Sequence, residues 1–155
     1  MIFGKSCSPP CLKLDGKDIE WVESWTYLGI SLKSHKAFNC CINEKVRAFY
    51  RSTNAILRID GRSNETVMLQ LLESHCLPIL TYGIEVIHIA DRDERRRLRV
   101  AYNSLFRRVF DYRMWESVTD LQHYLNRPTW EELLKNRKDK FLLNVSQNVL
   151  LRNFL

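Results

Sequence analysis

The stretch Trp25-Thr26-Tyr27-Leu28-Gly29-Ile30-Ser31-Leu32 is the most informative part of this chain. Its residues alternate with the period of two that is typical of a β-strand, with aliphatic side chains on one face and aromatic ones on the other. The two faces comprise Leu28, Ile30 and Leu32, and Trp25, Tyr27 and Ser31. Gly29 has no side chain, so a ligand or another backbone can approach closely there. We therefore predict one strand over residues 25–32 that packs its aliphatic face on a core.

The residues before this stretch also predict β structure. Asp15-Gly16 is a strong hairpin signal between residues 11–14 and 17–22. Residues 1–3 are typical of a strand end, which Pro9-Pro10 would interrupt. A few short strands cannot form an independent sheet with two good faces. We expect residues 1–34 to be a small antiparallel sheet remnant that packs on the remainder of the chain.

Beyond residue 36 the hydrophobic period becomes helical. Apolar residues recur every three or four positions from Phe38 to Ile59, which predicts an amphipathic helix. Arg47, Arg51 and Arg58 fall within roughly 40° of one another, away from the apolar stripe, at about 100° per residue. A cationic face of this kind is either a solvated surface or a phosphate contact, and the pattern leaves both open.

A second helix is predicted from residues 63–66 to Pro78, which should kink it or end it. No Lys or Arg occurs between Arg62 and Arg92, and apolar side chains surround most of the predicted helix. The apolar residues include Val67, Met68, Leu71, Leu72 and Leu77. A helix that is apolar nearly all round is buried. We therefore predict that this helix is the buried centre of a bundle.

A third helix is predicted to begin at Asp91, with Glu94 completing a capping box. Its core stripe comprises Leu98, Tyr102, Leu105, Phe106 and Val109. Four arginines lie on one side of that stripe, namely Arg92, Arg96, Arg99 and Arg107. Between residues 91 and 113 there are eight arginines and four acidic residues. Guanidinium groups suit phosphate oxygens, but exposed arginines also simply favour helix formation, so both interpretations stay open here too.

Two further helical segments are predicted near the end of the chain. The first covers residues 117–125 with Ser117 as its cap, and the second opens with a capping box of Thr129 and Glu132. The longer one carries a basic cluster that is typical of a solvated face, namely Lys135, Arg137, Lys138 and Lys140. We predict an α+β fold in which the small antiparallel sheet is followed by a mainly helical bundle. The expected divisions are residues 1–34, 35–113 and 114–155.

The composition favours a globular protein with a polyanionic partner. The 155 residues include 24 Lys and Arg against 18 Asp and Glu, for a net charge of +6. A basic excess favours nucleic acid, although many basic proteins bind none. The most apolar run, residues 76–90, is shorter than the ~20 residues of a membrane span and contains Glu85 and His88. No membrane partner is expected.

Five cysteines without paired Cys-x-x-Cys spacing favour reduced thiols and an intracellular location, nuclear or cytoplasmic. The alternative is a zinc site that pairs Cys7 and Cys11 with a second set of ligands drawn from Cys40, Cys41, His75 and Cys76. Structural zinc normally uses short-spaced pairs at both ends, and only Cys7 and Cys11 approach that spacing. We therefore expect no metal site in this chain.

Two segments resemble parts of the reverse transcriptases of LINE-type (non-LTR) retrotransposons. Tyr27-Leu28-Gly29 is similar to the primer-grip strand that ends the palm of those enzymes and leads into the thumb. Pro78-Ile79-Leu80-Thr81-Tyr82-Gly83-Ile84-Glu85 resembles the Pro-x-Leu-x-Tyr-Gly-x-Glu segment of their thumbs, and the two segments occur in the family's order. Ile87 stands where those proteins often carry Trp. The resemblance covers residues 1–113, and the remainder matches loosely.

The resemblance implies the C-terminal palm, primer grip and thumb of such an enzyme, which would contact a primer–template duplex through its backbone. The residues expected at the primer end are Tyr27, Leu28 and Gly29. Those expected at phosphates are Arg47, Arg51, Arg58, Arg92, Arg96 and Arg99. The implied partners are an RNA/DNA or DNA duplex and the missing fingers and palm of the parent polymerase.

The catalytic aspartates of that family form an Ala-Asp-Asp turn that holds two magnesium ions. No Asp-Asp pair occurs in these 155 residues. We expect this chain to come after the segment that carries the turn, to have no catalytic residues or cofactor of its own, and to be inactive alone. Magnesium would serve the full-length polymerase. The alternative function is a helical protein-interaction or structural module with no nucleic-acid role; a free-standing hydrolase is disfavoured because its usual motifs are missing.

Overall fold

The computed structural model describes residues 11–34, 39–40, 42–59, 64–85, 87, 89 and 91–148. Its strands are β1 Lys13–Leu14, β2 Lys17–Asp18, β3 Ser24–Tyr27, β4 Ile30–Lys33 and β5 Asn39–Cys40. Its helices are α1 Ile42–Ile59, α2 Glu65–His75, α3 Leu77–Thr81, α4 Arg92–Val109, α5 Thr119–Tyr124 and α6 Trp130–Gln147. The predicted α+β class is confirmed, with small antiparallel sheets followed by a helical bundle. The predictions for residues 1–3, Pro9-Pro10 and Phe38 lie outside the described residues.

The hairpin predicted at Asp15-Gly16 is confirmed. Strands β1 and β2 pair antiparallel around these two residues, whose φ angles are 50° and 77°. Two consecutive positive φ angles are the requirement of a type I′ turn, for which Asp-Gly is a favoured sequence. The paired strands are shorter than the flanking runs of sequence suggest, at two residues each.

The single strand predicted over residues 25–32 is wrong, because the chain turns back on itself at its middle. Strands β3 and β4 form an antiparallel hairpin in which Tyr27 pairs with Ile30, and Leu28 and Gly29 form the two-residue turn. Their φ angles are 48° and 73°, the same positive pair as in the first hairpin. The glycine in the alternating run therefore marks a turn and not a strand interior.

The hairpin also changes which side chains share a face. Directly paired residues of antiparallel strands project to the same side, and the register pairs Trp25 with Leu32 and Tyr27 with Ile30. The aromatic and aliphatic residues therefore lie together, whereas the sequence pattern predicted opposite faces. Thr26 and Ser31 occupy the other side, where their hydroxyl oxygens lie 3.3 Å apart.

The predicted start of the first helix near residue 36 is also wrong. Residues 39–40 form strand β5, which pairs antiparallel with β4 through Leu32 and Cys40. Helix α1 begins only at Ile42. The hairpin, β5 and α1 are consecutive in sequence, so the three-stranded sheet leads directly into the bundle.

Helices α1 and α4 lie side by side and run parallel. The guanidinium of Arg97 donates to the Asn43 side-chain oxygen at 2.9 Å, and that of Arg108 donates to the Asn54 side-chain oxygen. Each pair is 54 residues apart in sequence, and the second pair lies eleven residues after the first on both helices. Eleven helical residues rise about 16 Å, so the two helices keep one register over that length.

The core lies between α1, α4 and the α2–α3 segment. Its fully buried members include Phe49, Leu72, Leu80, Leu98, Leu105 and Phe106. Helix α2 ends at His75 and α3 starts at Leu77, so the break expected near Pro78 is confirmed. The prediction that α2 is buried nearly all round is wrong for Val67, whose side chain is 48% exposed, whereas Leu72 is 0% exposed.

Of the three predicted caps, that of α6 agrees with the sequence, that of α4 agrees only in the cap residue, and that of α5 is wrong. Asp91 caps α4, but the predicted capping box with Glu94 is wrong, because the Asp91 carboxylate accepts from the N–H of Asp93 and not from the N3 amide. Thr129 and Glu132 form the predicted capping box of α6. The predicted Ser117 cap is wrong, because α5 starts at Thr119 with Val118 in the cap position.

Helix α6 is attached to α4 through a buried aromatic contact. The rings of Tyr102 and Trp130 lie 5.6 Å apart, and the Tyr102 hydroxyl donates to the carbonyl of Pro128 at 2.8 Å. Burial raises the pKa of Tyr102, so the phenol remains neutral and keeps this donor. The start of α6 is therefore fixed beside the middle of α4.

Candidate nucleic-acid interface

The three residues predicted to contact a primer end form the exposed tip of the β3–β4 hairpin. We call Tyr27, Leu28 and Gly29 the hairpin tip. The Tyr27 side chain is 63% exposed and that of Leu28 is 69% exposed. Trp25, which shares a face with Tyr27, is 61% exposed. Large aromatic and aliphatic groups of this hairpin are thus exposed.

Leu28 occupies a backbone conformation that leucine rarely adopts. A residue with a side chain at a left-handed φ costs roughly 1–2 kcal/mol, and type I′ turns favour Asn, Asp or Gly. The first hairpin has Asp15 at the equivalent position, at nearly the same φ. Leu28 therefore adds conformational strain while its side chain stays mostly exposed. An apolar group held outward at this cost is the kind of outlier that points to a contact surface.

The hairpin tip is attached to the segment that carries the second resemblance. The Tyr82 hydroxyl donates to the carbonyl of Leu28 at 2.9 Å. The Lys45 ammonium donates to the carbonyl of Tyr82 and lies 5.4 Å from the centre of the Tyr82 ring. The Ser31 hydroxyl donates to the Glu44 carboxylate at 3.1 Å. The two segments that resemble reverse transcriptases, about 50 residues apart in sequence, are therefore in direct contact.

Arg47, Arg51 and Arg58, which we call the arginine strip, are all exposed on α1. None of them has a hydrogen-bond or ion-pair partner among the described residues. Eleven residues separate the first from the last, or about 16 Å along the helix. The prediction of an exposed cationic face on this helix is confirmed, and its charges are available for a partner.

The arginine strip lies between the hairpin and α4. On a helix that turns about 100° per residue, the strip is roughly 40–80° around α1 from Asn43, which faces α4. Glu44 and Ala48 lie further around α1 in the same direction, at roughly 100–140° from Asn43. They border a cleft of about 320 Å³ that Gly29 of the hairpin also lines. The exposed cations therefore lie on the part of α1 between the side that faces α4 and the side that faces the hairpin.

The second predicted set is on α4. Arg92, Arg96 and Arg99 line a cleft of about 860 Å³ between α4 and the start of α6, and all three are exposed. Arg99 is 3.5 Å from the Glu131 carboxylate, so part of its charge is already neutralised. An exposed pair of this kind contributes little stability and can exchange partners readily. Arg92 and Arg96 are the more available members of this set.

Other arginines of α4 have structural contacts instead. Arg107, predicted on the same side as Arg92, donates to the carbonyls of Arg113 and Glu116 and so holds the turn after α4. Arg108 lies 5.5 Å from the Tyr50 ring centre in addition to its contact with α1. The sequence could not separate these arginines from the available ones, because their partners are carbonyls and side chains distant in the chain.

The predicted basic cluster of α6 is partly occupied as well. Arg137 pairs with Glu85 at 2.8 Å, which attaches α6 to the end of the α3 segment. The three lysines of the cluster, Lys135, Lys138 and Lys140, are exposed. They remain what the sequence suggests, a solvated helix face.

Within the described ranges, no group of three or more His, Cys, Asp and Glu side chains could hold a metal ion. The Cys11 thiol contacts the Asp18 carboxylate and the Cys76 thiol contacts the Ser52 hydroxyl, both at 3.3 Å. Cys7 and Cys41 lie outside the described residues, as does the side chain of Cys40. The absence of a zinc site stays a prediction. No helix in the described part of the chain is long and apolar enough to cross a membrane.

Two curated proteins of Drosophila melanogaster are similar to this chain over most of its length. The RNA-directed DNA polymerase from mobile element jockey is 25% identical over 150 residues, or 94% of this chain and 16% of that protein. The probable RNA-directed DNA polymerase from transposon BS is 25% identical over 134 residues, or 84% of this chain and 15% of that protein.

The chain thus spans about a sixth of the curated relatives it matches. No family model matches it, and no solved structure matches it. The similarity to both polymerases supports a relationship between this chain and the reverse transcriptases of transposable elements.

Proposed function

We propose that this chain is the primer-grip and thumb part of a non-LTR retrotransposon reverse transcriptase and binds a primer–template duplex through its backbone. One observation carries the proposal. The two segments that resemble this family contact each other through Tyr82 and Leu28, and the arginine strip lies on α1 on the side of Glu44, which bonds to Ser31 of the same hairpin. An exposed apolar tip and unpaired cations on the helix that contacts its hairpin suit a duplex end, with rings near the terminal nucleotide and guanidinium groups near phosphates.

Electrostatic contacts to phosphates determine how the proposed binding depends on sequence and on salt. Guanidinium contacts to phosphates position a duplex but carry no sequence information. Each phosphate that is neutralised makes the affinity more sensitive to salt. The chain carries a net charge of +6 and exposes the strip as well as Arg92 and Arg96. Binding is therefore sequence-independent and strongly salt-dependent.

The rest of the polymerase is the second proposed partner. Several large apolar side chains of residues 12–25 are exposed, among them Leu14, Ile19, Trp21 and Trp25. Several large apolar side chains exposed close together in the sequence are a candidate interface with another part of a protein. The curated relatives are about six times longer than this chain. The fingers and remaining palm of an intracellular parent polymerase, in the nucleus or cytoplasm, would cover this surface and supply the magnesium-binding aspartates.

The proposal is tested by comparing two labelled RNA/DNA duplexes of equal length and charge. One has a recessed 3′ end, and in the other both ends are closed by loops. Fluorescence anisotropy at one salt concentration should show tighter binding of the recessed duplex. Tyr27→Ser should reduce that preference, whereas the control Tyr124→Ser, at a side chain 87% exposed on α5, should not.

Two results would count against the proposal. Equal binding of both duplexes, unaffected by Tyr27→Ser, refutes the primer-end contact. Binding to neither duplex refutes the nucleic-acid role. That second outcome would favour the alternative, a helical protein-interaction module whose arginines are merely solvated.

A further inference from the structure

The segment from Tyr82 to Glu85 joins three separate elements. Tyr82 bonds to the turn of the β3–β4 hairpin and receives a bond from Lys45 of α1. Glu85 pairs with Arg137 of α6. This segment comes directly after α3 and is therefore fixed by the buried bundle on its other side. It connects a rigid core to an exposed hairpin.

We propose that Tyr82 and Lys45 are positioning residues that hold the hairpin tip in one place relative to α1 and its arginine strip. The inference rests on the proposed function, since it states how the primer-end surface is oriented. Strand β5 pairs with β4 only at Leu32 and Lys33, so the sheet is two-stranded around its turn, and two-stranded hairpins are marginally stable in water by themselves. The β3–β4 hairpin also contains the strained Leu28, so it depends on external contacts to keep its turn.

The contact geometry supports a specific role for the Tyr82 hydroxyl. It donates to the carbonyl of Leu28 itself, the strained residue of the turn. A Cβ at Gly29 would lie 3.5 Å from the Tyr82 ring, so ring and turn are in van der Waals proximity. The ring therefore supports the turn sterically while the hydroxyl fixes the orientation of one of its peptide groups.

Gly83, the next residue of this segment, lies against Ile30 of the hairpin. A Cβ at Gly83 would lie 2.8 Å from the Ile30 Cδ1 atom, and its φ angle of 65° is in the left-handed region. Glycine alone adopts that conformation without strain. A larger residue at Gly83 would strain the backbone and displace the end of the Ile30 side chain, so successive residues of the segment, Tyr82 and Gly83, lie against Leu28 and Ile30.

Lys45 fixes Tyr82 in turn. Its ammonium bonds to the Tyr82 carbonyl and lies near the face of the ring, which combines a hydrogen bond with a cation–π contact. Lys45 is on the first turn of α1, close to the sheet and two residues before Arg47. The same helix therefore carries the support of the hairpin tip and the cations proposed to contact phosphates.

The test uses the full chain and two substitutions at one position. Tyr82→Phe removes only the hydroxyl, and Tyr82→Ala removes the ring as well. The control is Tyr124→Phe, which removes a hydroxyl from an exposed tyrosine of α5. Amide hydrogen exchange is followed for residues 24–33 and 92–109, and the recessed and end-closed duplexes are titrated with each variant over a range of salt.

The expected result is local. Loss of one ordinary hydrogen bond should speed exchange in residues 24–33 by about fivefold in Tyr82→Phe, with exchange in α4 unchanged. Tyr82→Ala should lose the preference for the recessed duplex, and Tyr82→Phe should retain part of it. The slope of log affinity against log salt should match that of the parent for both, because no cation is removed.

The outcomes separate this inference from the proposed function. Unchanged exchange of residues 24–33 in Tyr82→Phe overturns the role of the hydroxyl. Faster exchange combined with a full preference for the recessed duplex in Tyr82→Ala overturns the positioning role. If the parent binds neither duplex, the proposed function fails, and the anchoring of the hairpin is then decided by the exchange rates alone.

Discussion

Leu72→Lys should unfold the bundle, whereas Val67→Lys in the same helix should not. Both residues are in α2, both are aliphatic, and the substitution introduces the same charge. The structure distinguishes them by exposure, which is 0% for Leu72 and 48% for Val67. A lysine ammonium at position 67 can reach water, whereas one at position 72 cannot.

The size of the effect depends on the burial of Leu72. Truncation to alanine alone removes three carbons, worth about 2.4 kcal/mol at about 0.8 kcal/mol per buried methylene. The cavity left behind raises the loss for a fully buried leucine to about 3–5 kcal/mol. An unpaired charge in the core adds several kcal/mol more. The sum approaches the ~5–15 kcal/mol of a typical total stability.

Denaturant titrations monitored by circular dichroism measure both variants. Val67→Lys should stay within about 0.5 kcal/mol of the parent, as is usual for exposed positions. Leu72→Lys should lack a cooperative transition, and Leu72→Ala should show the intermediate loss. A folded, soluble Leu72→Lys protein with a normal transition would mean that α2 is peripheral to the bundle and does not pack in its core.

Three further predictions concern the hairpin, an acidic group and catalysis. Leu28→Asn should stabilise the β3–β4 hairpin by about 0.5–1 kcal/mol of relieved strain, seen as slower amide exchange. The same substitution should weaken binding to the recessed duplex. A variant that both stabilises the hairpin and binds the recessed duplex as tightly as the parent, or more tightly, would argue against a contact role for Leu28. Burial raises the pKa of Glu73 above its ordinary 4.5 despite the neighbouring Arg127. The contribution of Glu73 to the free energy of unfolding therefore falls as pH rises from 4.5 through the raised pKa of the folded state. Glu73→Gln should flatten the dependence of stability on pH over this range. An unaltered profile would contradict this assignment. Primer extension by this chain alone, with magnesium or manganese, should stay at background, and extension abolished by a substitution in this chain would disprove that expectation.

The sequence predicted the helices better than the sheet. Three- and four-residue periodicity is strong over 18 residues, so the apolar stripes of α1 and α4 were found with their exposed cationic faces. Helix ends depend on local contacts that periodicity does not contain. The start of α1 was missed because β5 pairs with β4, a contact between separate segments of the chain.

The hairpin was missed for a different reason. Leucine is a poor residue for a type I′ turn, and the alternation of residues 25–32 fits a strand equally well. The bond from the Tyr82 hydroxyl to the Leu28 carbonyl, which supports the turn, joins residues 54 apart in sequence and so leaves no local signal. The roles of Tyr82 and Lys45 were likewise missed. Tyr82 lay in a segment already noted for its resemblance, but Lys45 carried no signal in the sequence.

The most direct test of the nucleic-acid role is the salt dependence of duplex binding after removal of the arginine strip. The variant Arg47→Gln/Arg51→Gln/Arg58→Gln loses three exposed cations. Its matched control, Lys135→Gln/Lys138→Gln/Lys140→Gln, loses three exposed cations from α6 and has the same net charge.

For a B-form DNA duplex, three lost phosphate contacts should flatten the slope of log affinity against log salt by about 2.7, at about 0.9 per contact. The α6 variant should keep the parent slope. An unchanged slope in the arginine variant, or an equal change in both variants, would contradict a specific role for the strip and leave its charges as a solvated helix face.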